Sequence, residues 1–476
     1  MFRKLILFIL LIFNCTGKLY AQQPWTLQQC IDQALKYNIQ IKQSSLNNDL
    51  NKVQVTQNTA AMFPSINGST SQTHFFGRSI DPYTNVYTNQ EVRSNTFGLN
   101  GSLSLFEGFQ VQNLLKESKL NYLSSQNDLK KIQNDISLNV VNYFLQVLFN
   151  DDLLKISRNQ KDASLVQRDR MKRMYELGSV NKGNYLDLES QYSNDELKFI
   201  QAQTQYDQSL LLLTQLLELD SAKNFSIAKP DVMVPAFDSS NAKVDEIFAI
   251  ALRSQPDIKS SDYKLSAAEK GLSVSRGALY PKLFLSGSIN TNYSTSNVDR
   301  SFITYPPINS YFSGFTSNGD SVYTYVPNTS PVVSDIPFKT QFNDNLGKSV
   351  GFTLQVPVFN GWSARSNISR SKINLEQTRL SSELTRKTLY KNVQQAVFDV
   401  IASNKKFLAG QNAVDALSET FNYNQQKLDL GMINTYDYLI SKNNLANAQA
   451  SLLQAKYEYI FKIKVLDFYQ GKPLSF

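Results

Sequence analysis

Apolar residues recur at three- and four-residue steps over two long stretches of the chain, and at two-residue steps over four short ones. In the first long stretch Leu114, Leu115, Leu120, Leu123, Leu129, Ile132, Ile136, Val140, Phe144 and Val147 fall on a narrow stripe, the spacing of a helix that packs along its length. No proline lies between Pro82 and Pro230 or between Pro357 and Pro473, so the main helix breaker is missing from both. A continuous helix from Gln110 to Leu177 would run ~100 Å at ~1.5 Å per residue, and such a helix needs lateral partners, as in a coiled coil. Each stretch then meets a small polar turn: Leu177-Gly178-Ser179-Val180-Asn181-Lys182-Gly183 in the first, Leu430-Gly431-Met432-Ile433-Asn434-Thr435 in the second. Glycine just past a periodic segment signals a helix end, and Asn or Thr a few residues on caps a returning helix. The pattern predicts helical hairpins over about 110–219 and 363–469. Shorter single helices are predicted from Thr26 to Met62 and from Val244 to Leu279.

Between short and long helices the period falls to two. Phe97, Leu99, Leu103 and Leu105 alternate with Gly98, Asn100, Ser102 and Ser104; Val350, Phe352, Leu354, Val356 and Val358 alternate in the same way with small or polar residues. Strands are predicted over about 65–76, 96–106, 283–293 and 349–359, each with one apolar face and one of Ser, Asn, Thr, Gly and Gln. Their length suits a tilted strand crossing a membrane. The segments 77–94 and 294–347, rich in Tyr, Asn, Ser and Thr, read as loops.

Four strands do not close a barrel, because about eight are needed even for a filled interior. An open sheet edge in lipid would leave backbone groups unpaired at several kcal/mol each. Strands pooled from several copies solve both problems, with the polar faces turned to a wet lumen. The expected fold class is an α+β membrane protein.

The pattern occurs twice. Residues 98–219 and 351–472 align without a gap at an offset of 253, so that Phe106-Glu107-Gly108-Phe109 recurs as Phe359-Asn360-Gly361-Trp362. Upstream, Ala34-Leu35 matches Ala251-Leu252 and Phe63-Pro64 matches Tyr280-Pro281 at an offset of 217. The second copy therefore carries an insertion between Tyr280 and Gly351. Both halves must build one supersecondary unit. The domains expected are a signal peptide over 1–21, a first repeat over 22–227, a proline-containing linker over 228–243, and a second repeat over 244–476.

Composition narrows the chemistry. Histidine occurs once, at His74, and cysteine twice, at Cys15 and Cys30, which leaves little for zinc clusters or Ser-His-Asp and Cys-His relays. No phosphate-cradling glycine loop is found. Adjacent acids such as Asp151 and Asp152 point in different directions on a helix. The sequence is read as no enzyme, with no metal or other cofactor. Arg3 and Lys4 before the apolar run Leu5 to Phe13, with Leu19-Tyr20-Ala21 after it, form a secretory signal cut after about Ala21. Asn14 is bulkier than the residue that normally precedes an acylated cysteine, which argues against lipid at Cys15. Loss of Arg3, Lys4 and Lys18 takes the formal charge from +8 to +5, too mild an excess for a nucleic-acid partner.

The order short helix, strand pair, long hairpin, given twice, with Phe63-Pro64 and Tyr280-Pro281 before the first strand of each pair, Phe106-Glu107-Gly108-Phe109 and Phe359-Asn360-Gly361-Trp362 after the second, and Leu-Gly tips, resembles the TolC-like outer-membrane efflux family. The resemblance spans essentially the whole mature chain. It implies a homotrimer in the outer membrane of a Gram-negative cell, with a twelve-stranded β-barrel in lipid and a twelve-helix periplasmic α-barrel. It also implies docking to a periplasmic adaptor and an inner-membrane efflux pump.

Carried over residue by residue, the adaptor contact falls on Gly178, Ser179, Val180 and Asn181 and on Gly431, Met432, Ile433, Asn434 and Thr435. The plain alternative is that these residues only cap helices. Asp437, six residues past Gly431, matches an aspartate that narrows the periplasmic aperture; threefold repetition would make it a ring of negative potential favouring cations. The family's second acid, three residues on, is here Ile440. In the first repeat Asn184 stands at the six-past-glycine position and Asp187 three further, a second candidate. A solvated helix surface is the competing reading for both acids. Phe106, Phe109, Phe359 and Trp362 sit at strand ends, where aromatic girdles anchor barrels. The expected function is a passive exit channel for small toxic compounds. Alternatives are the outer-membrane channel of type I protein secretion and, from another class, a coiled-coil surface adhesin or stalk, against which the alternating strand faces argue.

Overall fold

The computed structural model describes residues 24–80, 85–89, 91–220, 225–230, 234, 243–306 and 309–474; the expected signal peptide and most of the linker fall outside them. The first repeat comprises α1 (Leu27–Tyr37), α2 (Ile39–Ala60), β1 (Ser65–Phe75), the two-residue strands β2 (Ser79–Ile80) and β3 (Tyr87–Thr88), β4 (Val92–Glu107), α3 (Gln110–Glu176) and α4 (Lys182–Leu216). The second comprises α5 (Val244–Ser254), α6 (Pro256–Gly277), β5 (Lys282–Ser294), β6 (Val298–Tyr305), β7 (Ser310–Phe315), β8 (Ser321–Tyr325), β9 (Asn328–Asp335), α7 (Phe338–Asp344), β10 (Gly347–Gln355), α8 (Ser363–Asp429) and α9 (Thr435–Tyr469). The helix limits repeat residue for residue at the two sequence offsets. Contacts among the described residues group those within 24–54, 118–268 and 374–474 into one compact unit and those within 55–117 and 269–373 into another, each drawing on both repeats.

The helical unit has two cores built from corresponding positions. In one, Val140, Phe144 and Val147 of α3 meet Cys30 and Ala34 of α1 and Leu213 of α4. In the other, Val393, Val397 and Val400 of α8 meet Ile247 and Ala251 of α5 and Leu466 of α9. Burial pushes the Cys30 thiol up to about 12, so it stays a protonated apolar filler.

The short helices depart from expectation, since each is two. Asn38 accepts hydrogen bonds through its side chain from the Gln40 and Ile41 backbone N–H groups, capping α2 while α1 ends. In the second repeat Pro256 opens α6 and forces the residue before it out of the helical region; Gln255 has ψ 129°.

The other unit contains a four-stranded antiparallel sheet in the order β1-β4-β5-β10. Directly paired residues share a face. Ser65, Ser102, Ser286 and Gly351 stand in one row, and Asn67, Asn100, Ser288 and Ser349 in the next on that face. The opposite face pairs Leu103 with Leu285 and Phe352, and Leu99 with Ile289. Two strand calls change. A bulge removes Leu105 from the alternation, so that Phe106 pairs with Leu283. β10 stops at Gln355, short of the expected 359, because Pro357 has no N–H to offer a ladder. Segment 294–347 is no plain loop: β6 pairs with β9, β7 pairs with β8, and α7 packs Phe338 and Phe342 against Phe97.

Candidate functional site

Both tips are built alike. After α3, Gly178 takes φ +74°, a conformation glycine adopts without strain. The Ser179 N–H then donates to the Met174 carbonyl at 2.9 Å, and the Gly178 N–H to the Tyr175 carbonyl at 2.9 Å. After α8, Gly431 takes φ +69°, and Met432 and Gly431 donate to Lys427 and Leu428 at 2.8 and 3.0 Å. This double closure satisfies carbonyls that a helix end leaves open. The Asn181 side chain then accepts from the Asn184 N–H at 2.9 Å, and the Asn434 side chain from the Asp437 N–H at 2.8 Å.

The candidate tip residues differ in what they present. Gly178, Ser179, Asn181, Gly431, Met432 and Asn434 are exposed, Val180 and Ile433 half-buried. Thr435 is buried at 5% exposure, so its side chain offers little to a partner. Leu177, Leu430 and Met432 are 82, 74 and 69% exposed, a set of apolar knobs at the two turns that the capping motif alone does not need. Asp437 is exposed on the first turn of α9, and Asp187 is exposed one turn further into α4.

Two links between the hairpins were not legible in sequence. Arg170 of α3 meets Asp429 of α8 at 2.6 Å, with both side chains about half exposed. Further from the tips, Lys442 of α9 donates to Asp195 of α4 at 2.8 Å and also to the Ser164 hydroxyl of α3. Gln191 donates to the other Asp195 oxygen at 2.9 Å. Lys442 is 5% exposed and Asp195 3%. Burial works against the Asp195 charge, but hydrogen bonds from Lys442, Ser164 and Gln191 outweigh it and hold the carboxyl below its usual range. The partners lie too far apart in sequence for spacing to pair them. Beside this network, α3, α8 and α9 enclose a cleft of about 740 Å³ walled by Phe407, Phe421, Tyr438 and several glutamines.

The expected aromatic anchors sit at strand-to-helix turns. Gly108 and Phe109 have φ +61° and +62°, Gly361 and Trp362 +60° and +63°, and two consecutive left-handed residues swing each strand into its long helix. Phe106 packs edge-on to Phe109 at 5.2 Å, Arg365 lies over Trp362 at 4.6 Å, and Phe359 is 80% exposed. Among the described residues no helix is long and apolar enough to cross a membrane, and no three ligand-type side chains gather to hold a metal.

The family profile described as Outer membrane efflux protein matches the chain twice, over residues 30–218 and 248–466. The probable efflux pump outer membrane protein TtgC of Pseudomonas putida is 22% identical over 91% of this chain and 81% of its own length. The outer membrane protein TolC of Escherichia coli is 20% identical over 96% and 84%. Among solved structures, the outer membrane protein VceC of Vibrio cholerae superimposes with a TM-score of 0.75 at 13% identity, covering 94% of this chain and 96% of that one. The family is one of channel and transport proteins rather than enzymes. By its two matched segments the chain belongs to the TolC-like outer membrane efflux protein family, and its place is the outer membrane of a Gram-negative cell.

Proposed function

We propose that three copies of this chain form the passive outer-membrane exit channel of a tripartite efflux system. The channel conducts small toxic compounds received from an inner-membrane pump through a periplasmic adaptor. The observation that carries this reading is the four-stranded sheet with rows of Ser and Asn on one face and Leu, Ile and Phe on the other. Four strands are half of the smallest closed barrel, while three copies supply twelve, enough to leave a wet interior lined by the polar rows. The long hairpins continue the conduit on the periplasmic side.

In this reading the exposed tip residues Leu177, Leu430 and Met432 take the adaptor, together with Gly178, Ser179, Asn181, Gly431 and Asn434. Val180 and Ile433 support the turns, and Thr435 serves as packing. Asp437, repeated about a threefold axis, supplies negative potential at the periplasmic aperture, with Asp187 as a second acid. Phe106, Phe109, Phe359 and Trp362 mark the membrane boundary.

Reconstitution in planar bilayers tests the reading. The wild type is expected to give cation-preferring pores, and Asp437→Ala to raise single-channel conductance. Unchanged conductance and ion preference would remove Asp437 from the aperture; absence of pores would remove the channel. A photo-crosslinker at Met432 is expected to capture the adaptor in intact cells.

A further inference from the structure

Along the apolar face of the sheet, β10 carries Leu354, Phe352 and Val350, which are 64, 70 and 78% exposed. The next residue of β10 on that face is Lys348, exposed and paired with Ile289. A lysine turned to lipid is costly at the middle of a bilayer and nearly free at its edge. β4 and β10 run on toward α3 and α8 from their Glu107 and Gln355 ends, so Lys348 stands toward the opposite end of the sheet. In the channel reading that end is the cell surface, and Lys348 marks the head-group boundary of the outer leaflet.

Beyond this boundary β10 gives way to α7. The pairing of β10 with β5 begins at Gly347 and Asn290, which leaves the remaining edge of β5 open, and α7 closes it. Gln341, 2% exposed, accepts from the Ser294 N–H and donates to the Ser294 and Ile336 carbonyls, each at 3.0 Å. Asn345 donates to the Asn292 carbonyl at 2.8 Å, and the Thr291 hydroxyl to the Phe342 carbonyl at 2.7 Å. Phe338 and Phe342 lean on Phe97 at 6.0 and 5.7 Å between ring centroids. The helix is therefore held in place before any ligand arrives, which lowers the cost of binding, and its Lys339 is exposed.

Between α7 and β1 lies a cleft of about 410 Å³, walled by Phe97, Leu99, Ile289, Phe342 and Leu346 and floored by Gly68. A side chain at Gly68 would meet only the end of Leu99, at 3.8 Å, so the floor is open because the residue there is glycine. Gly68, Leu99, Ile289 and Lys348 form one row across the four strands. The apolar trough and the boundary lysine thus share a line on the face that the channel reading turns to lipid.

We propose that this cleft seats one acyl chain of a phosphorylated, multiply acylated glycolipid of the outer leaflet, with Lys348 and Lys339 on its phosphates. The proposal rests on the channel reading and adds a specific lipid to it. The trough suits a hydrocarbon chain and offers a sugar or a peptide little to hydrogen-bond. The two cations select an anionic head. The cell-surface end of the strands selects the leaflet that a Gram-negative outer membrane builds from phosphorylated glycolipid.

Native mass spectrometry of the detergent-solubilised protein tests it, with bis-phosphorylated lipid A, monophosphorylated lipid A and phosphatidylglycerol as probes. The wild type is expected to retain the bis-phosphorylated form above both others. Lys339→Gln with Lys348→Gln is expected to erode that preference by about fivefold for each lysine removed. Gly68→Phe, which fills the floor of the cleft, is expected to lower retention of both forms of lipid A, and Val350→Trp, on the same face outside the cleft, to leave it unchanged. Equal retention of lipid A and phosphatidylglycerol by the wild type would overturn the proposal, as would undiminished retention in both the lysine pair and Gly68→Phe. If Gly68→Phe loses the circular dichroism of the wild type, the lysine pair, exposed at both positions, decides alone. Planar-bilayer conductance of the same samples separates the two readings: wild-type pores without a lipid A preference remove the site and leave the channel standing, and absence of pores removes the channel and the site with it.

Discussion

The first and second hairpins share every helix limit and both capping motifs, yet the side chains at matched positions have diverged in a directed way. Lys442 corresponds to Glu189, Asp195 to Ala448, and Ser164 to Leu417. The buried link from α9 to α3 and α4 is therefore possible from the second hairpin to the first of the same chain, while in its mirror from first to second a glutamate replaces the cation, an alanine the acid and a leucine the hydroxyl. Asn184 and Asp437 differ in the same spirit: the backbone cap is shared, and only the second carries a charge. The helix limits of the two copies match, and the side chains at corresponding positions do not. What the comparison teaches is that backbone geometry and side-chain chemistry repeat on separate terms.

The largest test breaks the buried link. Lys442→Met leaves Asp195 charged and enclosed, and loss of one partner of a buried pair costs about 3–5 kcal/mol; urea unfolding of the detergent-solubilised protein should show it. Adding Asp195→Leu should recover most of the loss, since an apolar replacement of both partners is close to neutral. Acid sharpens the same point. The Asp195 carboxyl is held below the usual carboxylate range, so its contribution is complete above that range and disappears as pH falls through the lowered pKa. Unfolding measured between pH 7 and pH 3 in wild type and in the double variant should diverge only at the acid end.

Next in size are the caps. Asn181→Ala and Asn434→Ala should each cost about 1 kcal/mol, and near-equal losses would confirm that the two turns are energetically one motif. Exchange of the charge is expected to act on ions instead of stability: Asn184→Asp should strengthen cation preference in bilayers where Asp437→Ala weakens it. Smallest is Arg170→Ala. Its partner Asp429 is about half exposed, so the change should lower stability by less than about 1 kcal/mol, and less still at high salt.

Much of this architecture was legible because long periodic stretches suppress ambiguity. α3 and α8 each run 67 residues without proline, and Gly178 and Gly431 announce their ends. Where local rules compete, the reading slipped. The apolar period of the short helices carries straight across Asn38 and Gln255, so the one-residue breaks were hidden, although Pro256 was a usable sign. Leu105 fits the alternation and gives no hint of the bulge that displaces it. The strands of residues 298–335 are rich in Ser, Thr, Tyr and Asn with little apolar alternation, and so read as loop. At the tips, glycine and asparagine gave the turns, but a threonine beside a capping asparagine carries no sign that it is buried, as Thr435 is. Lys442 and Asp195 look like solvated surface in helices full of charge; only folding brings them into one enclosed place.

The one-way nature of the Lys442–Asp195 link has a mechanical consequence. Two hairpins joined by this buried pair would expose an orphaned charge on sliding past one another, and in the proposed trimer each chain would move as a single stave. A tube assembled from such staves would dilate by hinging along the joints between them, and the number of independently moving parts would equal the number of molecules, half the number of hairpins.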